Sequence, residues 1–305
     1  MSLKTRYEEI VDVAKIATPG NANRFAEVIA KAEQEKLGPA SNDGQTTLLL
    51  VIDEQNDFMP RIGSLGVDGA DADIARLTRW MYDNAGAITQ VMCSLDTHYP
   101  AMIFHPLWWI DQNGHHPDPF TIISKDDVAS GKWMPVFGAP ARSLTYVTKL
   151  EELGQLQLCI WPYHCLDGGS GHNLESEFAN MMYFVSAARA SQPTLVKKGQ
   201  DPFTEMYGII RPEYNPNNWL NMPVLNAIEK FDRVVVAGEA ASHCVAESCR
   251  QILDYFAGRP DVIQKIFILK DCTSPVAGFE QQAKDALAEF AAKGVQLVDS
   301  TNFSL

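Results

Sequence analysis

The stretch from Phe231 to Cys249, FDRVVVAGEAASHCVAESC, constrains the fold more than any other part of the chain. Val234, Val235, Val236 and Ala237 form a short β-branched apolar run that stops at Gly238, and helix-forming residues resume at Val245. This spells a buried strand, a tight turn and a helix. Cys244 falls where the turn becomes the helix, so its thiol faces the positive end of the helix dipole, which favours thiolate. His243 lies beside it, and Gly238, Ala240, Ala241 and Ser242 are small enough to let backbone N–H groups approach an oxyanion. A lone cysteine is also often a small buried core residue, so the rest of the chain has to decide between the two readings.

The same strand–helix grammar repeats along the chain. Thr47 to Asp53 (TLLLVID) is a continuous apolar run, the pattern of a strand buried on both faces of a parallel sheet. Further strands are predicted at Ile88 to Leu95, Gln157 to Ile160, Pro193 to Lys197, Ile266 to Leu269 and Gln296 to Val298. Helices are predicted at Asp73 to Asn84, Leu174 to Phe184, Trp219 to Lys230, Val245 to Phe256 and Glu280 to Ala292. Alternation of this kind means βαβ units with right-handed crossovers, hence an α/β chain with a doubly wound, Rossmann-like, mainly parallel sheet in three α/β/α layers. Before it, residues 1–45 read as an N-terminal helical extension, with helices at Tyr7 to Ile16 and Asn23 to Glu35, packing on the core or on a second subunit of a homo-oligomer. Residues 106–156 are rich in Pro, Gly and aromatics without clean periodicity and read as an insertion over the site.

Composition narrows the function classes. A net charge of −13 over 305 residues, with no Lys/Arg cluster, argues against nucleic acid or an anionic membrane as partner. No apolar run approaches the ~20 residues of a membrane span. The cysteines (93, 159, 165, 244, 249 and 272) show no CxxC pair and no preceding signal-peptide pattern, so a cytoplasmic protein with free thiols is expected, acting on a small molecule.

Ligands of open parallel sheets bind outside the carboxyl ends of the strands. Those ends carry Asp53, then Asp96-Thr97-His98, then Lys198-Gly199, then Cys244. Asp96 and His98, two apart in extended backbone, point the same way, and His164 completes two histidines and a carboxylate, a metal-ligand set with open positions. His105, His115, His116 and His172 are further candidates that read more simply as loop histidines.

Together, V-I-D53-E-Q-N-D-F58 with G63-S-L65, D96-x-H98, W161-P-x-H164-C165, K198-G199 and G238-x-A-x-x-H243-C244 resemble the nicotinamidase/pyrazinamidase group of the isochorismatase-like cysteine hydrolases over about residues 46–302. The resemblance implies the isochorismatase-like hydrolase fold and a catalytic triad of Asp53, Lys198 and Cys244. It also implies a metal site of Asp96, His98 and His164, taking one divalent ion, zinc first with iron or manganese as alternatives. Phe58, Trp161, Tyr207 and His243 match the pocket for a flat aromatic amide, Ala240 and Cys244 the oxyanion hole, and Glu239–Ala240 a cis peptide. The implied activity is hydrolysis of a small carboxamide, a pyridine carboxamide first, to acid and ammonia through a thioester, within NAD metabolism. Two other classes stay open: a metal-free hydrolase of the wider superfamily acting on a carbamoyl group or enol ether, and a non-catalytic binding protein. The chain departs from the family at Gly208-Ile209-Ile210 after Tyr207 and at Ser242, both on the pocket wall, and Trp108, Trp109 and Trp133 are candidates to cap that pocket.

Overall fold

The computed structural model describes residues 3–138 and 140–305. Its first part is not the pair of helices expected. Residues 7–16 form two 3-10 turns, Tyr7–Glu9 and Val13–Lys15, and only α1 (Phe25–Ala32) is an α-helix. The reason is where the backbone groups find partners. The Asp12 side chain accepts from Ala14 N at 3.2 Å, the Arg24 guanidinium takes the Ile10 carbonyl at 2.7 Å, and Ala17 sits at φ 54. Side chains here supply what a helical ladder would otherwise provide.

From residue 47 the elements are β1 (Thr47–Ile52), α2 (Ala70–Asp83), β2 (Gln90–Asp96), then β3 (Trp109–Ile110), β4 (Ile122–Ile123), α3 (Lys125–Ala129), β5 (Met134–Pro135), α4 (Pro140–Glu152) and β6 (Leu158–Cys159). They continue with α5 (Ser176–Ala188), β7 (Thr194–Lys198), α6 (Met222–Lys230), β8 (Arg233–Gly238), α7 (Cys244–Tyr255), α8 (Pro260–Ile263), β9 (Ile266–Leu269), α9 (Glu280–Ala292) and β10 (Gln296–Val298).

Six strands form one sheet in the order β10-β9-β8-β1-β2-β7, and every pairing in it is parallel. The order runs outward in both directions from the β1/β8 pair, so the crevice where connections leave to opposite faces lies between those two strands. Alternation along β1 builds the three layers. Leu48, Leu50 and Ile52 pack with residues of α6, α7 and α9 on one face, while Leu49 and Val51 pack with α1, α2 and α5 on the other. Among the described residues no helix is long and apolar enough to cross a membrane.

The strand expected at 157–160 is short and lies outside this sheet, with β6 pairing antiparallel to β4. The 106–156 region is also more regular than expected, since α4 buries Ser143, Tyr146, Val147 and Leu150 on one face. Trp108 and Trp109 do not cap the pocket; both are fully buried core residues.

Candidate active site

The register of the sheet brings the polar strand ends together. Ile52 pairs with Gly238, which sets Asp53 beside the turn that leads to Cys244. Asp96 pairs with Lys198, which puts that carboxylate and that ammonium side by side. At Gly238, φ is 114 and a Cβ would stand 2.1 Å from the Ile52 carbonyl oxygen, so only glycine permits this approach.

Lys198 is the centre of the constellation. Its Nζ lies 2.9 Å from Asp53 Oδ2 and 3.1 Å from Asp96 Oδ1, and donates to Met206 O at 3.1 Å and towards Cys244 Sγ at 3.6 Å. Burial opposes the charge, but the carboxylates of Asp53 and Asp96 hold the Lys198 ammonium well above its usual range. Burial raises Asp53 above the ordinary aspartate range against the pull of Lys198. Burial also pushes the Cys244 thiol well up, with Lys198 opposing and the nearby carboxylates adding to the rise. This differs from the thiolate expected from the helix position alone. In a dry site already holding two carboxylates, burial favours the neutral thiol of Cys244 over the thiolate.

Ser94 was missed by the sequence reading. Its Oγ accepts from Asp53 N at 3.1 Å and donates to Asp53 Oδ1 at 2.6 Å, fixing the carboxylate from both ends. Gln55 holds the backbone of Asp96, accepting from its N–H at 2.7 Å and donating to its main-chain carbonyl at 2.8 Å. Both residues lie on or just after core strands, where a buried polar side chain is the available signal.

Asp96, His98 and His164 offer ligand atoms that all lie within 4.8 Å of one another. His98 Nδ1 donates to Gly199 O at 3.0 Å, and His164 Nδ1 donates to Pro162 O at 2.8 Å. Because a carbonyl can only accept, both rings carry a proton on Nδ1, and Nε2, turned towards Asp96, is the atom each ring would offer to a cation. His98 Nε2 lies 2.9 Å and His164 Nε2 3.7 Å from Asp96 Oδ2, so the three ligand atoms converge on one buried spot where a cation would suit all of them. The loop carrying His164 is held by Asp57, whose Oδ2 accepts from Cys165 N at 2.6 Å. His105 is buried next to this cluster, its ring centroid 5.7 Å from that of His164. His172 instead shares a hydrogen bond with Thr97 Oγ1 at 2.9 Å, and His115 and His116 lie on the exposed 111–116 loop.

Cys244, Asp96 and His164 line a narrow cleft of about 30 Å3 whose walls include Phe58, Trp161, Tyr207 and His243. Trp161 Nε1 donates to Tyr207 Oη at 3.2 Å, and the Trp161 and His243 rings meet edge to face at 5.5 Å. Burial lowers His243 to about 4, so the ring is neutral. Glu205, unnoticed in the sequence, lines the same cleft, and burial raises its carboxyl above the usual range against His98. The peptide Glu239–Ala240 is cis. Among the described residues the N–H groups of Ala240 and Cys244 have no backbone acceptor, and Ala240 borders the cleft with Cys244. A larger cavity of about 420 Å3 between α4 and the 199–219 loop reaches Lys198 and Gly199 from the far side, away from Cys244. From the 106–156 region, Phe120 packs edge-on against Trp161 at 5.9 Å.

No protein-family model matches the chain, and no curated protein does. Solved structures do. The yeast nicotinamidase Pnc1p, bound to the inhibitor nicotinaldehyde, aligns at 18% identity over 83% of this chain and 100% of its own, with a TM-score of 0.58. The nicotinamidase/pyrazinamidase of Acinetobacter baumanii aligns at 18% identity over 86% of this chain and 99% of its own, with a TM-score of 0.56. PnC1 from L. infantum, in complex with nicotinate, aligns at 17% over 86% of this chain and 98% of its own, with a TM-score of 0.53. Likeness at these identities is a likeness of fold, and the chain has the three-layer α/β/α, isochorismatase-like hydrolase fold of the nicotinamidases.

Proposed function

We propose that this protein is a metal-dependent cysteine amidohydrolase that converts a small pyridine carboxamide to its acid and ammonia. The observation that carries this reading is the buried Lys198 ammonium, 2.9 Å from Asp53 Oδ2 and 3.6 Å from Cys244 Sγ, beside three metal-type ligands. A fixed acid–base group, a nucleophile and a cation in one dry cleft suit acyl transfer.

Asp53 takes the Cys244 proton as sulfur attacks the amide carbon, and Lys198 balances the charge of the forming thiolate. The carbonyl oxygen, now anionic, faces the Ala240 and Cys244 N–H groups. Asp53 then protonates the departing nitrogen, the C–N bond breaks, and ammonia leaves a thioester on Cys244. Water next gives its proton to Asp53 and attacks the thioester carbon; the C–S bond breaks, and the proton returns to sulfur. Asp96, His98 and His164 would hold a divalent metal, which supplies a Lewis-acidic partner for a ring nitrogen. Phe58, Trp161, Tyr207 and His243 supply flat walls for the ring, with stacking of about 1 kcal/mol per aromatic contact beyond burial. The nicotinaldehyde and nicotinate held by the yeast and L. infantum proteins support a pyridine. The negative charge and free cysteines support a cytoplasmic enzyme acting on a small molecule.

Ammonia release from nicotinamide, pyrazinamide, benzamide and an aliphatic amide tests the reading, with metal content measured on the same sample. Nicotinamide turned over at least tenfold faster than benzamide is expected. Equal rates would remove the metal-anchored pyridine while leaving a cysteine amidase; ammonia from none of them would remove the amidase.

A further inference from the structure

A second chamber adjoins the catalytic cleft. It has a volume of about 380 Å3 and shares Tyr207 and His243 with the cleft, so both rings border both spaces. Beside Cys244 the free space is only about 30 Å3, room for on the order of one or two water molecules. The outer chamber is large enough for a further group of a ligand, and its chemistry differs from that of the aromatic cleft.

Its charged lining is Glu213, Glu247, Arg211 and Arg250, with Asp254 at the edge. The two arginines are already engaged. Arg250 Nη1 is 2.8 Å from Glu247 Oε2 and its Nη2 3.4 Å from Glu289 Oε2, while Arg211 Nη2 is 3.0 Å from Asp254 Oδ2. Glu213, on which only the Tyr207 N–H and the more distant Arg211 charge act favourably, is the one of these carboxylates for which no ion pair is found among the described residues. It is 7% exposed, and its Oε1 has no hydrogen-bond partner among the described residues. Burial and the neighbouring Glu247 hold its carboxyl well above the usual glutamate range. A buried acid lining a cavity, without a cation of its own, is matched by a ligand that brings one.

The geometry points to the outer chamber as a binding subsite for a basic group on the substrate, so that the enzyme acts on a carboxamide bearing an amine beyond the ring held near Cys244. Glu213 receives the ammonium, with Glu247 as the second carboxylate facing the chamber. This deepens the proposed amidase activity and rests on it. Tyr207 and His243 touch both compartments, which lets one molecule present its amide to Cys244 and its amine to Glu213.

The test compares three pyridine carboxamides: the unsubstituted ring, one with an aminoalkyl chain on the ring, and one with a hydroxyalkyl chain of the same length. Ammonia release from the unsubstituted amide reports on the amidase reading alone. The ratio of kcat/KM for the amino and hydroxy compounds reports on the chamber. A ratio of tenfold or more is expected, falling to within about twofold in Glu213→Gln, with turnover of the unsubstituted amide unchanged. Binding of the same pair to Cys244→Ala, followed calorimetrically, gives the comparison without turnover. A hydroxy compound that is bound and turned over as well as the amino compound by the unaltered protein, or a preference that persists in Glu213→Gln, overturns the inference.

Discussion

Ser94 and Asp53 grip each other twice, the serine oxygen taking the Asp53 N–H at 3.1 Å and returning its own proton to Oδ1 at 2.6 Å. Asp53 sits at φ 48, a left-handed position that an aspartate adopts only with such local support. A hydrogen bond to a charged group contributes about 1.5–3 kcal/mol. Ser94→Ala should therefore lower kcat for amide hydrolysis by about 10- to 100-fold while KM moves little, because the carboxylate loses its aim and the pocket keeps its walls. Circular dichroism should show an intact fold; full kcat in this variant would mean that Asp53 is oriented by Lys198 alone.

Among the six cysteines, Cys244 should be alkylated first. All six are buried and free, but Cys244 alone combines a place on the cleft wall with a lysine ammonium at its sulfur. Burial pushes Cys159 and Cys249 up to about 12 and raises Cys244 as well, but only Cys244 has an ammonium at its sulfur and a carboxylate beside it to take the proton. Iodoacetamide followed by peptide mapping checks the order of labelling, and Cys244→Ala should lose both the first adduct and turnover. An initial adduct at Cys165, which packs in the core behind His164, would contradict the assignment.

The metal cluster can be challenged without touching a ligand. Gly199 sits at φ +73, and a Cβ there would lie 2.6 Å from His98 Cε1 and 2.8 Å from Asp96 Oδ1. Gly199→Ala should consequently lower metal content as far as His98→Ala does, to well under half of the unaltered protein, as read by elemental analysis after dialysis. Retention of a full metal complement in both variants would show that the ion is held elsewhere.

Much of this site was legible because a buried parallel sheet leaves few places for charge. Asp53, Asp96 and Lys198 stand out where apolar runs end, and the pairing of Asp96 with Lys198 follows once β2 and β7 are neighbours. Ser94, Gln55 and Glu205 were not legible, because a single serine, glutamine or glutamate in a strand or loop looks the same whether it orients a partner or faces solvent. Helix α4 was overlooked for a different reason. Ser143, Tyr146, Val147 and Leu150 have helical spacing, but the Pro- and Gly-rich residues ahead of them drew the eye to a loop. The 7–16 segment erred the other way, its amphipathic spacing being satisfied by turns once Arg24 and Asp12 take up the backbone groups.

That N-terminal segment should prove integral to the fold. Glu177 is fully buried on α5 and collects the segment around it, accepting from Asp12 N at 2.9 Å, Asn21 Nδ2 at 3.2 Å and Arg24 Nη2 at 3.1 Å. Ile10, Val11, Ile16 and Val28 are buried alongside. Arg24→Ala removes what is, among the described residues, the one cation paired with this buried carboxylate, a change that costs about 3–5 kcal/mol in fully buried pairs. The Arg24 side chain is 25% exposed, so water can partly replace it and a loss of about 3 kcal/mol, the low end of that range, is expected. Urea unfolding should show a correspondingly lower midpoint, and trypsin should cut at Lys15 and Lys31 well before it cuts the unaltered protein. Ammonia release at low temperature should stay close to normal, because no residue of the segment lines the cleft; unaltered stability in this variant would mean that Asp12 and Asn21 hold Glu177 without help.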